Sequence, residues 1–305
     1  MSRNSQPLRV LHRPWTDNTA AIFSQGIDQA LTVVHLTDSH LQFIDDRDTD
    51  HMERYASKQR QRGAAGIREL GRYLTPEDAL DQVLADAVKL EPDLLAVTGD
   101  LLQHPSQANI EHAAGALEKS GLAWMYTCGN HDWHFSGQTS SAETRAAAWA
   151  KLAPLHKGPL NCDCHTIHGL QFLTVDNSNY QFDEEQLEFA RKTLATGRPT
   201  VLLIHIPLST PTLREPTIRN WKNAILICDP SWVQLDEVRP GKPDYTATTL
   251  QFTHMVTGSP NLIAVLCGHV HFAHADPVNP RAVQYVTGPG YLGRYRLLRF
   301  APYQS

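Results

Sequence analysis

Short apolar runs alternate along the chain with longer stretches in which apolar residues recur at helical spacing. The run LTVVHLT at 31–37 reads as a strand, and Leu94–Thr98 reads as another. Between them, apolar residues at 79/80, 83/84 and 87/88 share one face of a helix expected over 76–90, with Pro76 suited to its first turn. A further helix is expected to start near Ser106, followed by a strand at 122–127. Leu170–Val175 reads as a strand, and Asp183 with Gln186 three residues later is a capping-box pattern opening a helix to about Thr196. The runs 200–204 and 261–266 are apolar throughout, as strands buried on both faces are. The β-rich tail, 282–300, is interrupted at Gly288-Pro289-Gly290 and is expected to close a sheet as a hairpin. Alternating strands and helices predict an α/β protein of layered sheets with outer helices.

Two segments break the alternation. The 44–75 stretch is polar and charged, with Arg47, Arg54, Lys58, Arg60, Arg62, Arg68 and Arg72, and 209–245 is rich in proline and polar residues. Stretches of this length inside compact domains are functional loops or lids, or surface excursions carrying a helix of their own. One or two of the arginines would suit a phosphate clamp. With no repeat and no low-complexity linker, 1–305 is expected to be a single domain with insertions at about 44–75 and 209–245.

Composition narrows the classes. Lys and Arg number 27 against 32 Asp and Glu, so the chain carries −5 and lacks the general basic field that holds proteins to nucleic acid. No run approaches the roughly 18 apolar residues of a membrane helix, and the basic N-terminal residues lead into no apolar stretch of a signal peptide. Five sparse cysteines, with Cys162 and Cys164 too close for a routine disulfide, point to reduced thiols and a cytoplasmic protein. The departure is histidine, at 16, because several close the apolar runs.

Those run ends carry the chemistry. Asp38-Ser39-His40 follows the first strand, Gly99-Asp100 the second, and Gly129-Asn130-His131-Asp132 the third. His205 ends VLLIH, and Gly268-His269-Val270-His271 follows LIAVLC. In open α/β sheets the carboxyl ends of strands form the ligand edge. In an extended Asp-X-His or His-X-His, side chains i and i+2 share a face and reach one metal or two adjacent ones. Imidazoles, carboxylates and an amide oxygen without cysteine suit Zn, Fe, Mn or Co and argue against a structural zinc site. An aspartate able to bridge two ions fits the clamp used on phosphoryl groups. Asp-X-His or Gly-Asp alone is a weak signal, but paired histidines after glycine are not demanded by any turn.

With these motifs in this order the chain resembles the calcineurin-like metallophosphoesterase superfamily, closest in its Asp-X-His to the cyclic-nucleotide and glycerophosphodiester phosphodiesterase branch. Ile204-His205-Ile206-Pro207 stands where His-His-Pro is commoner, and the gap from Asp38 to Asp100 is wide for compact relatives. The resemblance implies a four-layer αββα sandwich of two packed mixed sheets with a dinuclear site. It implies Asp38, His40 and His271 on one metal, Asp100 bridging, and Asn130, His205 and His269 on the other. It implies His131, with Asn130, on the substrate phosphate, His131 also protonating the leaving oxygen. Two ions would make hydroxide from water at neutral pH for in-line attack on phosphorus, with no protein nucleophile and no organic cofactor.

The expected activity is therefore hydrolysis of a small soluble phosphodiester, with cyclic nucleotides among the candidates. A phosphomonoesterase on a small metabolite is the near alternative, and a non-catalytic scaffold, as in the retromer subunit of this fold, is the distant one. No membrane or nucleic-acid partner is expected, and a homo-oligomer is left open. Asp132 suits either orienting His131 or capping a helix. His134, His254 and His274 read as local hydrogen-bonding residues, His35 as a packed strand residue, and Cys128 and Cys267 as small buried side chains. Trp133 and Tyr291 are candidate walls for a ring-bearing substrate, with core packing the simpler use.

Overall fold

In the computed structural model the described residues are 7–48, 75–135, 141–231 and 245–304. Their strands form two six-stranded mixed sheets. The first contains β1 (Val10–Thr16), β2 (Thr19–Ser24), β3 (Leu31–Leu36), β4 (Leu94–Thr98) and β5 (Trp124–Thr127), together with the last strand, β12 (Arg296–Pro302), in the order β1-β2-β12-β3-β4-β5. The second contains β6 (Cys162–Ile167), β7 (Leu170–Val175), β8 (Thr200–Leu203), β9 (Leu262–Cys267), β10 (His274–Pro277) and β11 (Val283–Val286), in the order β10-β11-β9-β8-β7-β6. The neighbours β3, β4 and β5 run parallel, and so do β7, β8, β9 and β11.

The period-two geometry of the central strands explains the layers. Val33, Leu94, Ala96 and Met125 from the first sheet pack with Phe172, Val201, Leu203 and Ile263 from the second, so one core lies between the sheets. The intervening residues Val34, Leu36, Leu95 and Val97 turn outward onto α1 (Pro76–Lys89) and α2 (Gln107–Ser120), meeting Leu80, Val83, Ile110 and Leu117. On the far side, Leu173, Leu202 and Val265 pack against α4 (Glu184–Leu194) and α6 (Ala247–Gly258) through Leu187, Phe252 and Val256. The result is a helix–sheet–sheet–helix sandwich, as expected. α3 (Ala142–Leu152) adds Ala148 and Leu152 to the first helical layer.

Local signals set the helix starts. α1 opens with Pro76 at its first turn and a capping box between Thr75 and Asp78, α2 is capped by Ser106, and α4 has the capping box of Asp183 and Gln186. Such caps are worth about 1 kcal/mol each.

The tail departs from the expected hairpin. β11 joins the second sheet beside β9, whereas β12 enters the first sheet between β2 and β3. The Gly288-Pro289-Gly290 link therefore crosses from sheet to sheet. It passes over the end of β3, where the Gly290 amide donates to Thr37 O at 2.7 Å and the Tyr291 amide to Asp38 O at 3.1 Å. Adjacent runs in sequence are poor evidence of pairing when each finds a better-buried partner elsewhere.

Of the two insertions, 49–74 and 232–244 lie outside the described residues, including Arg54, Lys58, Arg60, Arg62, Arg68 and Arg72. Arg47 is described and is engaged by Asp45 and Glu111 at 2.6 and 2.9 Å, on an exposed surface. The 209–245 segment is not structureless, since it begins with α5 (Pro211–Trp221).

Candidate metal centre

The motif residues sit just beyond the carboxyl ends of β3, β4, β5, β8 and β9, which point to one edge of the sandwich. The first sheet delivers Asp38, His40, Asp100, Asn130 and His131; the second delivers His205, His269 and His271. All eight come together there.

The side chains do not converge through extended backbone. Asp38, His40, Asp100, His269 and His271 all have positive φ, at 55°, 50°, 47°, 70° and 59°. Each Asp-X-His or His-X-His pair thus places two left-handed residues around one ordinary residue, correcting the extended reading. The left-handed region costs a non-glycine residue roughly 1–3 kcal/mol and persists where the surroundings over-determine it. Here the Asp38 amide donates to Gly99 O at 3.0 Å, the His40 amide to Asp100 O at 2.9 Å and the His269 amide to Asp38 Oδ2 at 2.9 Å. The glycines allow this closeness: a Cβ on Gly129 would stand 2.1 Å from Asp100 Oδ1, and one on Gly268 would stand 2.3 Å from Asp38 Oδ2.

Two groups of donor atoms result, each with every donor within 4.8 Å of the others. Asp38, His40, Asp100 and His271 form one; Asp100, His205 and His269 form the second. His271 Nε2 is 3.3 Å from Asp38 Oδ1, His40 Nε2 is 3.7 Å from both Asp38 Oδ1 and Asp100 Oδ2, and His205 Nε2 is 3.2 Å from Asp100 Oδ2. Ligands at about 2.0–2.2 Å from a transition metal stand roughly 3 Å from one another, so these separations suit an ion. Unpaired atoms give a second test of fit. Buried polar atoms are nearly always hydrogen-bonded, yet Asn130 Oδ1, His40 Nδ1 and His205 Nε2 have no hydrogen-bond partner. The donor set, mixed imidazole and carboxylate with one amide oxygen, is that of a transition-metal site.

Charge in the centre is one-sided. Burial works against the Asp38 carboxylate, but hydrogen bonds from His271 and His40 outweigh it and hold its pKa well below the usual range. Burial likewise opposes Asp100, and the charges of His205 and His131 overcome it, again keeping a carboxylate. His205 is raised to about 9: burial lowers it, but the Asp100 carboxylate beside it raises it more. His131 goes the other way, to about 4, because burial outweighs the attraction of Asp100.

Several supporting residues carry no motif signature. Gln103 Nε2 donates to His131 Nδ1 at 2.8 Å, which leaves the ring proton on Nε2. Thr98 O accepts from His205 Nδ1 at 2.7 Å, turning Nε2 towards Asp100. Asn177 Oδ1 accepts from the His205 and Ile206 amides, and the Tyr180 hydroxyl lies 3.0 Å from His269 Nε2. Such contacts orient metal ligands and fix their tautomers. Gln103, three residues after Asp100, was within reach of sequence reasoning; Asn177 and Tyr180 follow β7, a strand without a motif.

Asp132 takes neither role expected of it. Its carboxylate accepts from the Gly129 and Leu102 amides at 2.7 and 2.8 Å, tying two of the loops together. Trp133 belongs to the core under the first helical layer, whereas Tyr291 is in the centre, its hydroxyl 3.3 Å from His271 Nδ1. Cys128 and Cys267 are fully buried, and all five cysteines are unpaired. His35 is a packed residue as expected, His254 is exposed on α6, and His274 bonds locally to Thr212 and Asp276. His134 packs against the ring of its neighbour Trp133, centroids 4.5 Å apart. No described helix is long and apolar enough to cross a membrane.

The family model for calcineurin-like phosphoesterases matches residues 31–273, from β3 past His271. The chain belongs to this family. It is a metal-dependent phosphoester hydrolase, and the two donor groups are where a metal could be held. No curated protein matches the sequence. Solved structures share the fold at low identity. A dimetal phosphatase from Danio rerio is 11% identical, with 88% of this chain and 92% of that one covered at a TM-score of 0.54. A purple acid phosphatase from yellow lupin (Lupinus luteus) seeds is 12% identical over 89% of this chain, also at 0.54, and this phosphoesterase spans only 47% of its length.

Proposed function

We propose that this phosphoesterase hydrolyses small soluble phosphodiesters, using two transition-metal ions drawn from Fe, Mn, Zn and Co. The observation that carries the dinuclear reading is that Asp100 belongs to both donor groups, so one carboxylate serves two positions. Asp38, His40 and His271 would complete the first position. His205, His269 and Asn130 would complete the second, Asn130 through its unpartnered Oδ1. Since the Tyr180 hydroxyl engages His269 Nε2, His269 would meet an ion through Nδ1. Bound there, two ions lower the pKa of water and neutralise charge on a phosphoryl group.

The protein's own contribution is placement. His131 and Asn130 line the cavity above Asp100 and would face the phosphate. With its pKa near 4 and Gln103 donating to Nδ1, His131 is neutral at pH 7 and offers Nε2–H as a hydrogen-bond donor. That favours stabilising phosphoryl charge over delivering a proton to the leaving oxygen. Gln103 is a positioning residue. The Asp-X-His motif, Asp38-Ser39-His40, supports the cyclic-nucleotide and glycerophosphodiester branch. We further read 1–305 as one domain with insertions at about 44–75 and 209–245, acting in the cytoplasm, where unpaired cysteines persist.

The test is a panel of bis-p-nitrophenyl phosphate, p-nitrophenyl phosphate and cyclic nucleotides with metal-reconstituted protein. Higher kcat/KM on the diesters is expected. A higher value on the monoester would replace the reading with a phosphomonoesterase; both solved neighbours are named phosphatases.

A further inference from the structure

The first part of the second insertion, residues 209–226, brings to the centre a side chain that no motif contains. Its base is closed where Leu208 pairs with Ile227, the Ser209 amide donating to Ile227 O at 2.9 Å and the Ile227 amide to Pro207 O at 2.8 Å. α5 is then fixed at both ends. Near its start, the Thr210 and Thr212 hydroxyls donate to the Asp276 carboxylate, each at 2.5 Å. At its last residue, the Trp221 indole N–H donates to Val270 O at 2.9 Å. Val270 stands between the paired histidines, so the helix is tied directly to a motif. The indole meets the His271 ring edge-to-face, with centroids 5.0 Å apart and planes at 81°. Trp221 nevertheless remains 38% exposed, and with Tyr180 and Ile225 it walls the cavity that holds Asp100, Asn130 and His131.

We propose that Trp221 is a stacking platform for a planar ring in the substrate's ester group, so that aryl or nucleoside esters are taken in preference to aliphatic ones. The proposal rests on the phosphoester hydrolase reading above. The indole's single donor is already used, so the exposed ring offers a face and not a hydrogen bond. Its orientation is set before substrate arrives, so little side-chain freedom remains to be lost on stacking. The wall is aromatic and aliphatic, and no lysine or arginine lines the cavity among the described residues. A second anionic group on the ester would therefore find no partner there, whereas a neutral ring would. Because Trp221 lines the same cavity as Asp100, Asn130 and His131 and touches His271, a group esterified to a phosphate held there would have the indole as one of its walls.

Calorimetry on metal-reconstituted protein tests this with phenylphosphonate and methylphosphonate, which carry no ester bond to hydrolyse and differ only in the ring. Base–aromatic stacking gives an affinity advantage on the order of tenfold, and the native protein is expected to favour phenylphosphonate by about that factor. Trp221→Leu should bring the ratio close to one, and Trp221→Phe should keep most of it. Should Trp221→Leu weaken both ligands, the ratio still decides. Equal native affinities, or a preference that survives in Trp221→Leu, would overturn the proposal. Failure of the hydrolase reading would look different: no ester turned over by the loaded protein, with the calorimetric preference intact.

Discussion

Two sets of buried polar side-chain atoms lie close together beyond the end of β3, and they are finished in opposite ways. His35 stands between the sheets with both ring nitrogens satisfied, Nε2 by Thr98 Oγ1 and Nδ1 by Thr287 Oγ1, each at 2.7 Å. Burial and the nearby Arg296 then push its pKa down to about 3, so it is a neutral packing residue. Five residues further on and across the sheets, His40, Asn130 and His205 each keep a buried atom without a hydrogen-bond partner. Burial alone therefore does not separate a structural histidine from a ligand. What separates them is whether the protein itself completes the hydrogen bonds.

The sharpest way to break this comparison is Asp100→Ala. If Asp100 serves both donor groups, elemental analysis should find at least one ion lost and turnover reduced to background. Two retained metals with normal turnover would sink the dinuclear assignment. His131→Ala comes next. It should keep the metals and reduce kcat by about 10²–10³-fold, as removal of one oxyanion donor does. The loss should be equal for good and poor leaving groups, and a loss confined to poor ones would assign proton delivery to His131 instead. Gln103→Leu should act in the same direction but less, about 10–100-fold, like other residues that orient a reacting group.

The two histidines also differ in the sign of their pH dependence. His205 is raised above its unfolded value of 6.5, so in metal-free protein it contributes stability below pH 6.5 that is lost as pH rises towards 9. Metal must displace that proton, so affinity measured by titration should strengthen across the same window, by up to about tenfold per pH unit. A flat affinity from pH 6.5 to 9 would remove His205 from the ligand set. His35 is lowered, so its contribution is present above pH 6.5 and falls as the unfolded chain takes up a proton below it. The smallest effect is thus expected from His35→Asn. The stability difference between native protein and variant should shrink below pH 6.5 by at most about 1.4 kcal/mol per pH unit. A difference that ignores pH would mean that His35 is not held neutral.

How much of this was legible in the sequence depends on burial. The central strands at 94–98, 170–175, 200–204 and 261–266 were readable because both faces are covered, leaving apolar runs with no other use. The edge strands β6 and β10 were not, since CDCHTI and HADP are half exposed and composed of residues that turns also favour. β1 and β2 carry no long apolar run that marks them, and the tail reads as a hairpin because the sequence offers only neighbouring runs as partners. At the centre, Gly-Asn-His-Asp and Gly-His-Val-His stood out because turns do not require paired histidines. The left-handed backbone at Asp38, His40, Asp100, His269 and His271 is not readable in the sequence, because it is imposed by amides and carbonyls from other loops. Gln103, Asn177, Tyr180 and Trp221 are ordinary residue types whose roles exist only once distant segments meet.

The crossing at Gly288-Pro289-Gly290 has a consequence for synthesis on the ribosome. β12 is an interior strand, bonded to β2 on one side and β3 on the other, and it follows the other described strands of both sheets in sequence. Until residues 296–302 emerge, the first sheet is two separate ladders, β1-β2 and β3-β4-β5, with no strand to join them. The same late segment carries Gly290 and Tyr291, whose amides hold the carbonyls of Thr37 and Asp38. Closing the sheet and clamping the first loop of the metal centre are thus one event. Metal delivered to the nascent chain is expected to find the donor set clamped in place only after that event, which makes the centre a mark of a closed first sheet.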